Sequence, residues 1–427
     1  MQAQAVLKRL DHLTFKGNLR QTRYGWLRLT PAYSVHLVAE ILDRHASGGA
    51  VVLDPFCGTG TTALVCAERG ITAHTTDINP FLLWLTNAKT RLYSPSDLVS
   101  FRKTAARVGK AIRDSSRSPD WVPALHQIEK WWSAPTLASL ARAMGVIRGL
   151  DRERSVPVVD LLNVAFCRTM IDRANVSFGH QSMSFKKDNA RQLTLLTGDE
   201  EAVADAWEAA VHGIANGACS EIVEVPRTVL CDARDLRAAL EPETYSCVIT
   251  SPPYPNRMSY IRELRPYMYW LGYLSDGRAA GELDWQAIGG TWGCATSNVG
   301  KWKPEREVAV PFEGFAEVLA KIAATSPLLS RYVHKYFYDM AYHCESLFAV
   351  VRPGGTVHYI VGNSKFYDVM LPVERIYAGL FEAVGFANAN VETIRKRTSK
   401  KELFEYVVSA TKPEAPRPGK RMLGSVE

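Results

Sequence analysis

"VVLDPFCGTGTTAL", residues 51–64, is the stretch from which the chain is best read. A short apolar run ends in an acid, two glycines follow closely, and Thr61 to Arg69 then has the composition of a helix. Lacking a Cβ, Gly58 and Gly60 let the backbone turn tightly and approach a ligand, and the first N–H groups of the next helix stay unpaired. Gly58-x-Gly60-x-x-Ala63 satisfies the dinucleotide fingerprint, with Asp77 downstream to hold ribose hydroxyls. On this ground alone NAD and S-adenosylmethionine fit equally, and so does a plain structural turn. Asp54 separates the first two. A carboxylate beside the cradle repels a pyrophosphate and attracts an ammonium or sulfonium group. No Gly-Lys-Ser/Thr follows, which excludes a P-loop.

The same rhythm continues outward. Thr72–Asp77 reads as a second strand with a helix over Pro80–Arg91, Thr228–Asp232 as a third strand and Ser246–Thr250 as a fourth. Asp232 ends the third strand as Asp77 ends the second, so it can accept a hydrogen bond from an adenine amino group. Asp235 reads as the cap of the following helix. A fifth strand, Gly355–Val361, opens after a turn at Arg352-Pro353-Gly354-Gly355, and Asn390–Arg395 with Tyr406–Ala410 form a closing pair joined by a basic turn. Apolar strands separated by helices predict an α/β chain with a mostly parallel sheet covered on both faces. Residues 96–225 read as mainly helical, with apolar spacing over Trp131–Ile147 and Val158–Ile171. Residues 262–335 are rich in aromatics and glycine, and 413–427 reads as a frayed tail.

"TSPPYPNRMSY", residues 250–260, follows the fourth strand. Two adjacent prolines have no N–H to donate and fix φ near −65°, so the strand must stop in a stiff loop. Ser251, Pro252, Pro253 and Tyr254 are therefore held rigidly at a strand end, where α/β folds place their chemistry.

Together these motifs resemble the class I, S-adenosylmethionine-dependent amino-methyltransferases of DNA. "LDPFCGTGTT" and "TSPPY" carry the likeness, "TDINP" and "CDARDL" match the second and third motifs, and "VRPGGTVHYIVGNS" the later strand. "YGWLRLTPAYSVHLVAEIL" resembles the segment enclosing the methionine end of the cofactor. The likeness covers residues 23–95 and 226–412, within one catalytic core of 1–95 and 226–415, and leaves 96–225 and 262–335 as insertions. It implies a Rossmann-like, seven-stranded sheet with an antiparallel closing strand. It further implies a cofactor site of Thr30, Pro31, Asp54, Phe56, Gly58, Gly60, Thr61, Asp77, Ile78, Asp232 and Ala233 around S-adenosylmethionine. The catalytic group is then Ser251, Pro252, Pro253 and Tyr254. A ring amine is a poor nucleophile because its lone pair is delocalised. Ser251 Oγ and the Pro252 carbonyl are suited to accept its two hydrogens, and Tyr254 to stack on a flipped base. In this family serine before Pro-Pro-Tyr is typical of cytosine N4 methylation, with adenine N6 as the alternative. An RNA guanine-N2 or similar enzyme is a further one, though little sequence precedes the first motif to form an RNA-binding module. An oxidoreductase would leave Ser-Pro-Pro-Tyr without a use.

The remaining features bound this reading. The 427 residues carry a net charge of +7, which suits an anionic partner such as double-stranded DNA. Eight cysteines without a Cys-x-x-Cys pair, and no His-x-x-x-His, predict no metal site and reduced thiols in a bacterial or archaeal cytoplasm. No apolar run is long enough for a membrane helix, and the first residues lack an apolar signal core. Target reading is expected in an insertion. Segment 168–191, with Arg173, Asn175, His180, Gln181 and Lys186, mixes cations with amides able to read base edges. The rival is 285–303, with Lys301 among its tryptophans. Arg257 beside the proline loop, and the run Arg395-Lys396-Arg397 with Lys400 and Lys401 in the closing turn near the active face, complete the candidate DNA contacts. A partner restriction endonuclease fits the same picture, and the oligomeric state is not legible.

Overall fold

The computed structural model describes residues 14, 17–18, 22–29, 32–119, 121–151, 155–177, 184–186, 199–256, 259–291, 294–306, 308–397 and 402–415. Helix α1 (Val35–His45), strand β1 (Val51–Asp54), α2 (Thr61–Arg69), β2 (Thr72–Asp77) and α3 (Pro80–Thr90) open the strand–helix alternation. Then come α4 (Pro95–Arg113), α5 (Ile128–Trp131), α6 (Ala134–Arg148), α7 (Val156–Asp172), the short ladder β3 (Val176–Ser177) and β4 (Ser184–Phe185), and α8 (Asp199–Ala218). β5 (Arg227–Leu230) and β6 (Tyr245–Thr250) return to the sheet, followed by α9 (Tyr260–Leu271), α10 (Gly277–Gln286), α11 (Cys294–Lys301), α12 (Phe315–Thr325) and α13 (Pro327–Val350). The chain closes with β7 (Val351–Gly362), the hairpin β8 (Ser364–Phe366) and β9 (Val369–Leu371), α14 (Val373–Val384), β10 (Ala387–Lys396) and β11 (Phe404–Thr411).

Seven strands form one sheet in the order β10-β11-β7-β6-β1-β2-β5. All pair in parallel except β11, which runs antiparallel to both β7 and β10. Numbered by position in the chain, the sheet reads 3-2-1-4-5-7-6 from the β5 edge, the Rossmann-like order of the class I methyltransferase fold. Its two halves wind outward in opposite directions from β1 and β6, whose paired residues include Val52 with Cys247 and Leu53 with Val248. Open α/β sheets bind ligands at the carboxyl ends of such a switch point, because the diverging connections leave a crevice there. The glycine loop leaves β1 and the proline loop leaves β6, so the two informative stretches of sequence meet at that crevice.

Alternation along each strand distributes the core. Val52, Cys247, Ile249 and Ile360 face α1 and α2, whereas Leu53, Val248, Val357, Tyr359 and Val361 face α13 and α14. A third cluster joins α4, α6, α7 and α8 to Phe81 and Leu85 of α3 and to Tyr267 and Trp270 of α9. The helical insertion therefore shares its core with helices that flank the crevice.

Two local readings need correction. Arg352–Gly355 is a bulge within β7 rather than a turn before it: Tyr245 pairs with Val351 and Cys247 with Thr356, leaving four residues opposite Ser246. Pro353 cannot donate to the ladder and Gly354 takes φ +74°, which is why the pairing jumps here. The helical pattern from Trp131 is also broken: α5 ends at Trp131, and α6 restarts at Ala134 behind the N-cap Ser133. No helix among the described residues is long and apolar enough to cross a membrane.

Candidate active site

The end of β1 is built around Asp54, which is 1% exposed. Its Oδ1 accepts from Thr250 Oγ1 at 2.6 Å and from the Phe56 N–H at 3.2 Å, and its Oδ2 accepts from the Tyr33 hydroxyl at 3.0 Å. Thr250 is the last residue of β6, so this carboxylate ties the two central strand ends together. Burial pushes its pKa up to about 7, against three hydrogen bonds that favour the charged form. Such a carboxyl gains from any cation brought beside it.

Asp77 plays a matching part at the end of β2. Oδ2 accepts the Gly58 N–H at 3.2 Å and Oδ1 the Asn79 N–H at 2.8 Å, clamping the glycine loop to the second strand. Burial pushes its pKa up to about 6. Each oxygen still has acceptor capacity, which suits the donating hydroxyls of a ribose. From behind, buried Lys89 donates to the Thr59 carbonyl at 2.9 Å, and burial pushes its pKa down to about 8. Gly60 takes φ +74°, and a Cβ there would lie 2.4 Å from Thr86 Oγ1 of α3. That glycine is required by the helix packed behind the loop. Thr61 is buried at the start of α2, its hydroxyl 3.1 Å from that of Thr59. The resulting set, two carboxylates flanking a glycine loop and a helix N-terminus, fits S-adenosylmethionine, a ligand with ribose hydroxyls on its adenosine half and a sulfonium and an ammonium on its methionine half. Phe56 meets His343 edge-on at 4.8 Å. The His343 ring donates from Nδ1 to the Ala233 carbonyl at 2.7 Å and accepts the Tyr359 hydroxyl at Nε2, 2.6 Å. Burial pushes its pKa down to about 4, so the imidazole stays neutral.

Asp232 is engaged otherwise than the sequence suggested. It caps the 3-10 turn Ala233–Ala238 by accepting the Arg234 N–H, and the Arg234 guanidinium folds back onto both its oxygens at 2.6–3.1 Å. Asp235 lies inside that turn and is not its cap. Arg234 also reaches Asp339 at 3.2 Å and the Gln286 carbonyl at 2.8 Å, tying this corner to α13 and α10. The charge on Asp232 is thereby matched within the protein. Ile78, next to Asp77, is half-buried, and Thr30 and Pro31 lie outside the described residues.

The proline loop rests on the end of β7. Ser251 Oγ donates to the Ile360 carbonyl at 2.9 Å, which commits its proton and leaves its lone pairs as acceptors. The Pro253 carbonyl accepts from the Tyr336 hydroxyl at 2.6 Å, while no described residue donates to the carbonyl of Pro252. Tyr254 is half-buried; its hydroxyl donates to Glu405 Oε1 at 3.1 Å, and Arg397 lies over its ring with Cζ 5.2 Å from the centroid. Glu405 also accepts from Arg395 Nε at 2.7 Å. Arg395, expected at a DNA surface, is thus an internal counter-ion. Lys396 lies 5.8 Å from the Phe404 ring beside it.

Of the remaining candidates, Asn175 donates its N–H to the Trp131 carbonyl at 2.7 Å and accepts from the Lys186 N–H at 3.1 Å, and Phe185 stands edge-on against Trp131 at 5.3 Å. Arg265 of α9, five residues beyond Tyr260, covers the same Trp131 ring at 5.3 Å. This binds part of segment 168–191 to the helix that leaves the proline loop. Arg173 is half-buried at the end of α7, and His180, Gln181, Arg257, Lys400 and Lys401 lie outside the described residues. Lys301 is exposed at the end of α11, where the neighbouring Trp302 packs on His334 and Tyr338 of α13. Tyr33, Lys89, His343 and Glu405 were not singled out from the sequence, since no motif marks them.

Comparison with known proteins points to a DNA methyltransferase family. Residues 28–87 match the N6_N4_Mtase family model, described as DNA methylase. Over 409 residues the chain is 21% identical to the Type II methyltransferase M.AvaI of Nostoc sp., covering 90% of this chain and 82% of the relative. Type II methyltransferase M.BsoBI of Geobacillus stearothermophilus is also 21% identical, over 445 residues with the same coverage. Among solved structures, rRNA methyltransferase aviRa from Streptomyces viridochromogenes aligns over 95% of this chain and 94% of its own at 13% identity and a TM-score of 0.30. That superposition is too loose to carry weight beside the strand order itself.

Proposed function

We propose that this chain, a member of the N4/N6 amino-methyltransferase family of DNA, methylates the exocyclic N4 of a cytosine flipped out of a specific duplex site. S-adenosylmethionine is the methyl donor, and its bound form supplies the electrophilic methyl group. Asp77 and the Gly58–Gly60 loop would hold its ribose, with Asp54 on the side that favours its cationic end.

One observation carries the reading. With its proton on the Ile360 carbonyl the Ser251 Oγ offers lone pairs to a substrate, and the Pro252 carbonyl beside it is without a donor among the described residues. Two fixed acceptors match the two N–H bonds of an exocyclic amine. Accepting them draws density onto nitrogen and makes it more tetrahedral; as the new N–C bond forms the methyl–sulfur bond breaks, the sulfonium becomes a neutral thioether, and one amine hydrogen leaves as a proton to water. The prolines, the Ile360 contact and the Tyr336 contact prevent the acceptors from moving, so little reorganisation accompanies reaction. Tyr254, backed by Arg397, is assigned to stack on the base, which offsets the few kcal/mol of extrusion. Cytosine rather than adenine rests on the serine at 251, the residue type found before Pro-Pro-Tyr in N4 enzymes. A restriction endonuclease of the same specificity as partner, and a bacterial or archaeal cytoplasm as setting, complete the proposal.

The test is tritium transfer from labelled S-adenosylmethionine to duplex DNA and to RNA, followed by digestion to nucleosides and mass analysis. N4-methylcytosine is expected. N6-methyladenine would replace the base assignment, and label in RNA alone would overturn the reading.

A further inference from the structure

We propose that Arg397 binds the backbone phosphate beside the extruded nucleotide, fixing the DNA strand at the catalytic loop. The inference rests on the DNA reading above and gives one arginine of the basic closing turn a definite contact.

The first ground is how the side chain is accommodated. Arg397 follows the end of β10, and its Nη1 donates to the Asn363 carbonyl, just past β7, at 3.1 Å. A Cβ at Gly362 would fall 2.5 Å from that Nη1 and 3.0 Å from Tyr254 Cε2. Gly362 has no positive φ, so its backbone does not call for glycine. Space does: the missing side chain is what lets a guanidinium pass between the strand and the tyrosine. Asn363 holds the same corner, donating to the Glu402 carbonyl at 3.0 Å and accepting the Phe404 N–H at 2.8 Å.

The second ground is charge. Glu405 is the carboxylate of this corner, and both its oxygens are engaged, by Arg395 at 2.7 Å and by the Tyr254 hydroxyl at 3.1 Å. Among the described residues no carboxylate pairs with Arg397, and its one hydrogen bond there leaves most of its five N–H donors unused. Arg397 is half-buried, and a phosphate would supply the counter-ion that no described carboxylate supplies. A planar fork with spare donors matches a phosphate.

The third ground is position. A flipped nucleotide turns about its own backbone, so its flanking phosphates stay closest to the loop that grips the base. Arg397 lies against Tyr254 in that loop, whereas Arg395, two residues earlier, is held internally.

The test pairs protein and DNA changes. Duplexes carrying a neutral methylphosphonate at each phosphate flanking the target base are titrated with the wild-type protein and with Arg397→Gln over a range of salt. Removing the charge by Arg397→Gln should weaken duplex binding roughly ten- to a hundredfold. It should lower the slope of log K against log salt by about 0.9, the value for one phosphate, while cofactor affinity stays unchanged. One methylphosphonate position should weaken the wild type similarly and have no further effect on Arg397→Gln. An unchanged salt slope with reduced turnover would make Arg397 only a prop for Tyr254 and overturn the proposal. So would a wild type indifferent to both flanking substitutions, a result that needs no variant to fold. Failure of the wild type to bind unmodified duplex would instead sink the DNA reading itself.

Discussion

Replacing Gly60 by alanine should destabilise the apoprotein, and a second change in α3 should partly restore it. Gly60 has φ +74°, where an L-residue is disfavoured by about 1–2 kcal/mol. A Cβ there would also lie 2.4 Å from Thr86 Oγ1, 3.0 Å from Cγ2 and 3.1 Å from Cβ. Thr86 is fully buried, so the overlap cannot be relieved by swinging outward, and overpacking of this kind costs about 1–3 kcal/mol. Together the two effects amount to about 2–5 kcal/mol. Thr86→Ala removes the two closest atoms and forgoes the contact of Thr86 with Cys57 Sγ at 2.9 Å, a loss of about 1 kcal/mol. The double variant should then be more stable than the sum of the singles by about 1–3 kcal/mol, since the two closest atoms are gone and, besides the backbone term, only the milder 3.1 Å approach of the residue-86 Cβ remains. Urea unfolding followed by tryptophan fluorescence measures the coupling, and calorimetry follows cofactor affinity in parallel. Strictly additive losses would refute the argument. Retained apoprotein stability with lost cofactor binding would do so as well, because it would mean that the ligand, and not Thr86, demands the glycine.

Other expectations concern separate parts of the molecule. Ser251→Ala should reduce single-turnover methyl transfer by about 10²–10³, the scale for removing one preorganised polar group, with cofactor affinity little changed; parallel loss of both would contradict its placement on the base side. Asp54 titrates near 7 when folded and near 3.8 when exposed, so the native state holds its proton longer. The stability of the wild type relative to Asp54→Asn should therefore fall as pH rises from about 4 to 7 and level off above it; unfolding midpoints that differ by a constant amount across this range would dismiss the assignment. Arg23, 1% exposed, donates to the carbonyls of Gly217, Ala218 and Ser220 at the end of α8 and of Lys89 and Arg91 at the end of α3. Arg23→Met strands those acceptors and should cost about 3–5 kcal/mol by denaturant titration, within the range for breaking a buried charged cluster; an unaltered midpoint would show that water replaces it.

The local elements of the core were legible because their causes are local. Thr61–Arg69 and Thr72–Asp77 occur with the boundaries read from glycine, proline and apolar spacing, and the proline pair ends β6 at Thr250. Asp232 shows the limit of that kind of reading. Its place after a strand suggested a ligand contact, but gave no sign of the arginine two residues on that turns back onto both its oxygens. Arg352–Gly355 shows another: the residues of a turn became a bulge because β6 was already there to pair on either side.

By itself, then, the sequence determined an alternating α/β core with a glycine loop after one strand and a rigid proline loop after another, since backbone freedom and hydrogen-bonding capacity are set residue by residue. Only the tertiary structure decided that β1 and β6 are neighbours, which carries Thr250 onto Asp54, and that the closing hairpin brings Glu405 to Tyr254, 151 residues away in the chain. The sheet's order of pairing creates those contacts. A charge whose partner lies on a distant strand leaves no trace in its own neighbourhood, so Arg395 and Arg397 look alike until the fold pairs one and leaves the other beside the loop.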